Sequence, residues 1–121
     1  MNLISQVLVV FVAIEHLYIL WLEMFMWTTP RGRKVFSSVP ADMFEKTKAL
    51  AANQGLYNGF LAAGLFWSLL IQDPVWSHNV ALFFASCVAA AGVYGAATAM
   101  KRIFYVQALP ALITIVSLLF A

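Results

Sequence analysis

Long apolar runs separated by short polar segments divide the chain into four stretches, 3–27, 50–71, 79–100 and 103–121. Each is close to the roughly 20 residues that a helix needs to cross the hydrocarbon core of a bilayer. An unpaired backbone amide is too costly in lipid, so each stretch is predicted to be a helix. Polar punctuation marks the ends. Thr28-Thr29-Pro30-Arg31-Gly32-Arg33 closes the first stretch, with Pro30 disfavouring helix at the residue before it. Asp73-Pro74 closes the second in the same way, and Lys101-Arg102 forms a tight turn between the third and fourth. Pro110 removes a donor to the Val106 carbonyl and should kink the fourth helix. The segment 37–50 is polar enough to leave the membrane. Pro40 suits a first helical turn, Asp42 and Glu45 suit the positive end of a helix dipole, and Val39, Met43, Phe44 and Leu50 give a partly apolar face. It reads as a short interfacial helix, or as an extension of the second helix.

Composition then fixes the solvent. Of 121 residues 64% are hydrophobic and 10% charged, with a mean hydropathy of +0.89. A soluble domain carries about 25% charged residues, so too few remain here to solvate a globular surface. That excludes a soluble enzyme and a disordered chain. Seven Lys/Arg against five Asp/Glu, a net charge of +2, also exclude a nucleic-acid partner. Cys87 is the single cysteine, so no internal disulfide forms, and no zinc-type Cys/His spacing exists.

All seven basic residues (Arg31, Arg33, Lys34, Lys46, Lys48, Lys101, Arg102) lie between the first and second or the third and fourth stretches. By the positive-inside rule both basic connections are cytoplasmic and both termini face outward. A cleaved signal peptide is the competing reading of the first stretch. No basic residue precedes its apolar run, and it is too long for a signal core. The fold class expected is therefore an all-α, integral-membrane four-helix bundle in one domain, with N-out/C-out topology and the bilayer as its environment.

Helices in lipid associate through close packing and hydrogen bonds rather than by hiding apolar surface. Ala51, Gly55, Gly59 and Ala63 form one stripe of small residues, and Ala91, Gly95 and Ala99, beside Gly92 and Ala96, form another. Both read as helix–helix contacts. Four such helices make a narrow bundle, so a homo-oligomer is also expected.

Ionisable groups within a span are costly and are functional candidates by default. The first helix holds Glu15 and His16 near its middle and Glu23 about one turn from its cytoplasmic end. His16 and Glu23 are two turns apart and share a face, whereas Glu15 shares a stripe with Tyr18, Ile19 and Leu22. Counting inward along the second helix puts Asn53 and Gln54 near the depth of Glu23, and Tyr57 and Asn58 between Glu23 and His16. Tyr94, Thr98, Tyr105 and Gln107 lie in the same leaflet. The candidate site is thus Glu15, His16, Glu23, Asn53, Tyr57, Asn58, Tyr94 and Gln107, in a cavity open to the cytoplasm, with Glu15 deepest. Glu15 and His16 can both exchange protons, which suits a proton-coupled ligand site. No HExxH or paired-His spacing supports a metal, and none is expected. Cys87 reads as packing, His78 as a solvated residue in an outer loop, and Trp76 beside it as an interface anchor.

The run Glu15-His16-Leu17-Tyr18-Ile19-Leu20-Trp21-Leu22-Glu23-Met24-Phe25 is distinctive. So are Trp27-Thr28-Thr29-Pro30-Arg31-Gly32-Arg33 and Ala51-Ala52-Asn53-Gln54-Gly55-Leu56-Tyr57-Asn58-Gly59-Phe60-Leu61-Ala62, with Gly92-Val93-Tyr94-Gly95-Ala96 and Gln107-Ala108-Leu109-Pro110. Together these resemble the bacterial family of small membrane proteins known as domain of unknown function 1304, along essentially the whole chain. The resemblance implies a four-span protein of the bacterial inner membrane and carries no activity or cofactor with it. A weaker similarity is to the MAPEG superfamily of membrane eicosanoid and glutathione enzymes. There Lys48 and Asn53 fit the second-helix pattern, but Leu56 stands where that pattern has Glu. Three functions remain open on sequence alone: proton-coupled binding or transport of a small ligand, a membrane enzyme acting on a lipophilic substrate, and an accessory subunit.

Overall fold

The computed structural model describes residues 1–120, and its regular structure is entirely helical. Four helices dominate: α1 (Leu3–Phe25), α3 (Lys48–Leu70), α4 (Pro74–Thr98), and a final helix that begins as a π-helical turn (Phe104–Ala108) and continues as α5 (Leu109–Phe120). A short α2 (Pro30–Val35) and a 3₁₀ turn (Ala41–Met43) lie between α1 and α3. Among the described residues, α1 and α4 are the two helices long and apolar enough to cross a membrane. The last helix is apolar but shorter. Helix α3 equals α1 in length, but Lys48, Asn53, Gln54 and Asn58 dilute its hydropathy.

The ends are set by caps. The Asn2 side chain accepts from the Ser5 amide at 2.8 Å and opens α1. Thr29 caps α2, with Pro30 in its first turn, where a missing N–H costs nothing. Asp73 accepts from the Val75 and Trp76 amides at 2.9 and 3.2 Å, with Pro74 again in the first turn. Asp73-Pro74 therefore starts α4 as well as following α3. As a result α4 begins at Pro74 rather than at 79, and Trp76 and His78 lie on that helix rather than in a loop.

The segment between α1 and α3 also differs from the sequence expectation. The short helix forms at Pro30–Val35, and 37–47 consists of turns with three 3₁₀ residues. Its apolar side chains explain why. Phe36, Val39 and Phe44 do not line one helix face; they gather around Trp27 and Ala51 as a small core, with Phe44 2% exposed. The Trp27 indole N–H donates to Thr47 Oγ1 at 3.1 Å, and Arg33 stacks its guanidinium 4.9 Å from the Phe44 ring centre.

Helices α1 and α4 each pack against both α3 and the last helix, so the four form an antiparallel ring. The end that carries the chain termini has an open groove of about 420 Å³ at its rim, beside Asn2, Ser5, His78 and Ser117, and a packed interior. Val9, Val12, Ala13, Leu65, Ala81, Val88, Ala111 and Leu118 fill it. Hydrogen bonds there link Ser5 Oγ to Ser117 Oγ at 2.6 Å, and Ser77 Oγ to the Ser68 carbonyl at 2.7 Å. The end that carries the basic connections is hollow.

At Pro110 the chain widens its backbone instead of breaking. The Leu109 N–H reaches back to the Phe104 carbonyl, five residues away, which accommodates the missing proline donor. The wide turn holds Gln107.

Candidate functional site

The hollow end encloses a cavity of about 820 Å³, within the range of small-molecule sites. All four long helices contribute walls, and Val35, Phe36 and Arg102 stand at the basic end. The space exists because α4 turns a row of small side chains toward it. Cys87, Ala91, Gly95 and Ala99 recur every fourth residue and leave room that larger residues would occupy. The stripe through Ala91, Gly95 and Ala99 therefore lines the cavity as well as meeting the start of the last helix, where a Cβ at Gly95 would stand 3.1 Å from Ile103 Cγ2, and Cys87 belongs to the wall. The tightest contact falls one position over. A Cβ at Gly92 would stand 2.5 Å from the Ala108 backbone nitrogen.

On α1 the cavity-lining residues are Glu15, Tyr18, Ile19, Leu22 and Glu23. Glu23 is 8% exposed and accepts from Asn58 Nδ2 at 2.5 Å. Two glycines make that bond reachable. A Cβ at Gly55 would meet Met24 Cγ at 2.7 Å and Glu23 Cβ at 3.1 Å, and one at Gly59 would meet Leu20 Cδ1 at 2.6 Å. With glycine at both positions α1 and α3 come close enough for a short amide to span them. Glu15 differs. Its Oε1 is shielded from solvent and has no hydrogen-bond partner.

His16 turns away from this cluster. It is fully buried, with Nδ1 2.8 Å from the Val12 carbonyl and Nε2 2.9 Å from Gln107 Nε2. A carbonyl only accepts, so Nδ1 carries the hydrogen and Nε2 accepts from the Gln107 amide. The expectation that His16 and Glu23 face one set of partners on the second long helix is thus corrected. Glu23 pairs with α3, whereas His16 pairs with the last helix, through the residue that the π turn carries inward.

The remaining candidates divide. Tyr57 and Asn58 line the cavity, as do Gln107 and Gln54. Asn53 is exposed, donates to the Ala49 carbonyl of its own helix at 3.0 Å, and is not on the cavity wall. Tyr94 is 72% exposed and also lies off it. Both sit one helical face away from the lining residues.

Arg102, expected from the sequence only as part of a turn and of the basic charge pattern, stands at the rim and donates to the Val35 carbonyl. Arg31 reaches the hydroxyl of the cavity-lining Tyr18 at 3.0 Å through Nε. Among the described residues, no three His, Cys, Asp or Glu side chains gather as a metal site would need.

The family model described as "Protein of unknown function (DUF1304)" matches residues 10–119. A protein of Lactococcus lactis subsp. lactis (strain IL1403), described as "Uncharacterized protein YpaA", is 25% identical over 121 residues, covering 99% of this chain and 100% of the relative. No solved structure matches the chain. With its Glu-His motif, its Asn-bearing α3 and nearly its whole length inside the family match, the chain belongs to the DUF1304 family.

Proposed function

We propose that this protein is a four-span protein of the bacterial cytoplasmic membrane that binds a small, largely apolar ligand in the cavity between its helices, coupled to proton exchange at Glu15. The observation that carries the reading is the 820 Å³ cavity with a solvent-shielded Glu15 oxygen that no protein donor satisfies. An ionisable group in a membrane span costs about 2.5–3.5 kcal/mol on insertion scales. A structural role would return some of that cost through a hydrogen bond, as Asn58 does for Glu23; Glu15 has none. The other titratable or charged groups on the cavity wall are Glu23, Tyr18, Tyr57, Cys87 and Arg102.

The charge distribution supports the membrane arrangement. Both basic connections lie at the hollow end, so with them in the cytoplasm the cavity lies in the cytoplasmic half of the bundle.

A cavity-filling variant tests the binding function. The full chain in detergent is screened for thermal stabilisation against a panel of cationic, neutral and anionic apolar compounds. A ligand of the native state at 100 times its Kd stabilises by about 2.7 kcal/mol. At least one compound should raise the melting temperature of wild type and leave Ala91→Phe, whose new ring occupies the cavity, unmoved. A panel that shifts neither protein, or shifts both equally, would overturn the reading.

A further inference from the structure

The chemistry of the cavity wall narrows the ligand class. Phe36, Tyr57 and Phe60 offer aromatic surface for an apolar body, and ring faces attract cations, whereas the Tyr18 ring is already taken by the Arg31 guanidinium, 5.5 Å from its centre. Two carboxyl groups, Glu15 and Glu23, line the space against one basic side chain, Arg102. Arg102 stands at the rim and is engaged by the Val35 carbonyl. Glu23 already holds the Asn58 amide, whereas Glu15 Oε1 is shielded and without a donor. An ionised carboxylate in an apolar wall requires a cationic partner, and an anionic ligand would meet two acidic groups of its own sign.

We infer that the ligand is an amphipathic organic cation, its apolar body against the aromatic wall and its charged centre beside Glu15. This rests on the reading of the cavity as a small-ligand site. Alternation of the Glu15 carboxyl between proton and cation then gives the coupling a physical basis, since one acidic group serves two mutually exclusive partners.

Three probes of similar shape and different charge decide it: tetraphenylphosphonium, neutral triphenylphosphine oxide and anionic tetraphenylborate. Binding to the detergent-solubilised full chain is measured by equilibrium dialysis, with empty micelles as the blank. Wild type should bind the phosphonium saturably and at least about tenfold more tightly than the oxide, a difference of about 1.4 kcal/mol. Glu15→Gln should lose that preference, and Glu15→Asp, which keeps the charge, should retain it. Should Glu15→Gln fail to fold, the ranking of the three probes in wild type and Glu15→Asp still decides. Equal or tighter binding of the oxide or the borate by wild type would overturn the cationic class, as would binding of none of the three. In either case the cavity reading stands or falls separately, on the Ala91→Phe comparison.

Discussion

Single side chains show how differently three ionisable residues of one helix are treated. Glu23 has a donor, His16 has two partners, and Glu15 Oε1 has none. Removing one member of a buried polar pair costs more than the pair itself contributes, because the survivor keeps its desolvation penalty. Asn58→Ala should therefore destabilise the fold by about 1–3 kcal/mol. In Asn58→Ala the further change Glu23→Leu should recover part of that loss, because no stranded carboxyl remains. Equilibrium unfolding in mixed micelles checks both. An Asn58→Ala protein as stable as wild type would mean that the Glu23 contact contributes nothing.

At the scale of the helices, the glycines of α3 and α4 differ in what stands opposite them. A methyl added at Gly59 meets only the end of the flexible Leu20 side chain, which can rotate aside. One added at Gly92 meets the backbone nitrogen and Cα of Ala108, which cannot move without shifting the π turn. Alanine gains up to about 1 kcal/mol over glycine in a helix interior, and overpacking costs about 1–3 kcal/mol. Gly59→Ala should thus be close to neutral and Gly92→Ala clearly destabilising, by about 1–2 kcal/mol net, in thermal or denaturant unfolding. Equal effects at the two sites would show that the approach of α4 to the last helix is not a tight backbone contact.

For the whole molecule, the packed end and the hollow end differ in their basic residues. The termini and the α3–α4 connection carry no Lys or Arg, whereas all seven basic residues lie at the hollow end, with Arg102 alone on the cavity wall. The proposed orientation makes a direct prediction for cysteines placed in a Cys87→Ala background. Ser37→Cys should react with a membrane-impermeant maleimide in inside-out vesicles and not in intact spheroplasts, and Gln72→Cys should do the reverse. Both sites are exposed and lie outside the long helices. Labelling of both from the same side would overturn the proposed topology.

Sequence alone determined the helical character of the chain, because apolar runs of roughly 20 residues bounded by polar punctuation exceed the length of a strand and match that of a helix. Depth counting at about 1.5 Å per residue put Asn53 level with Glu23 and Asn58 about a turn deeper, whereas Glu23 takes its donor from Asn58 and Asn53 bonds its own helix. Periodicity put Glu15, Tyr18, Ile19 and Leu22 on one stripe, and that stripe lines the cavity. Tertiary structure decided the rest. A helical period of 3.6 residues says which side chains share a face but not which neighbour that face meets, so the pairing of His16 with Gln107 was out of reach. A row of small residues reads the same whether a helix packs into it or a void opens beside it. Ala91, Gly95 and Ala99 line the cavity while Gly95 also meets the Ile103 side chain, and Gly92 beside them touches the Ala108 backbone. That arrangement is set by Gly55 and Gly59 drawing α3 onto α1, by the π turn before Pro110, and by the core around Trp27 that closes the basic end. These are distances between segments remote in the chain, and only the assembled bundle sets them.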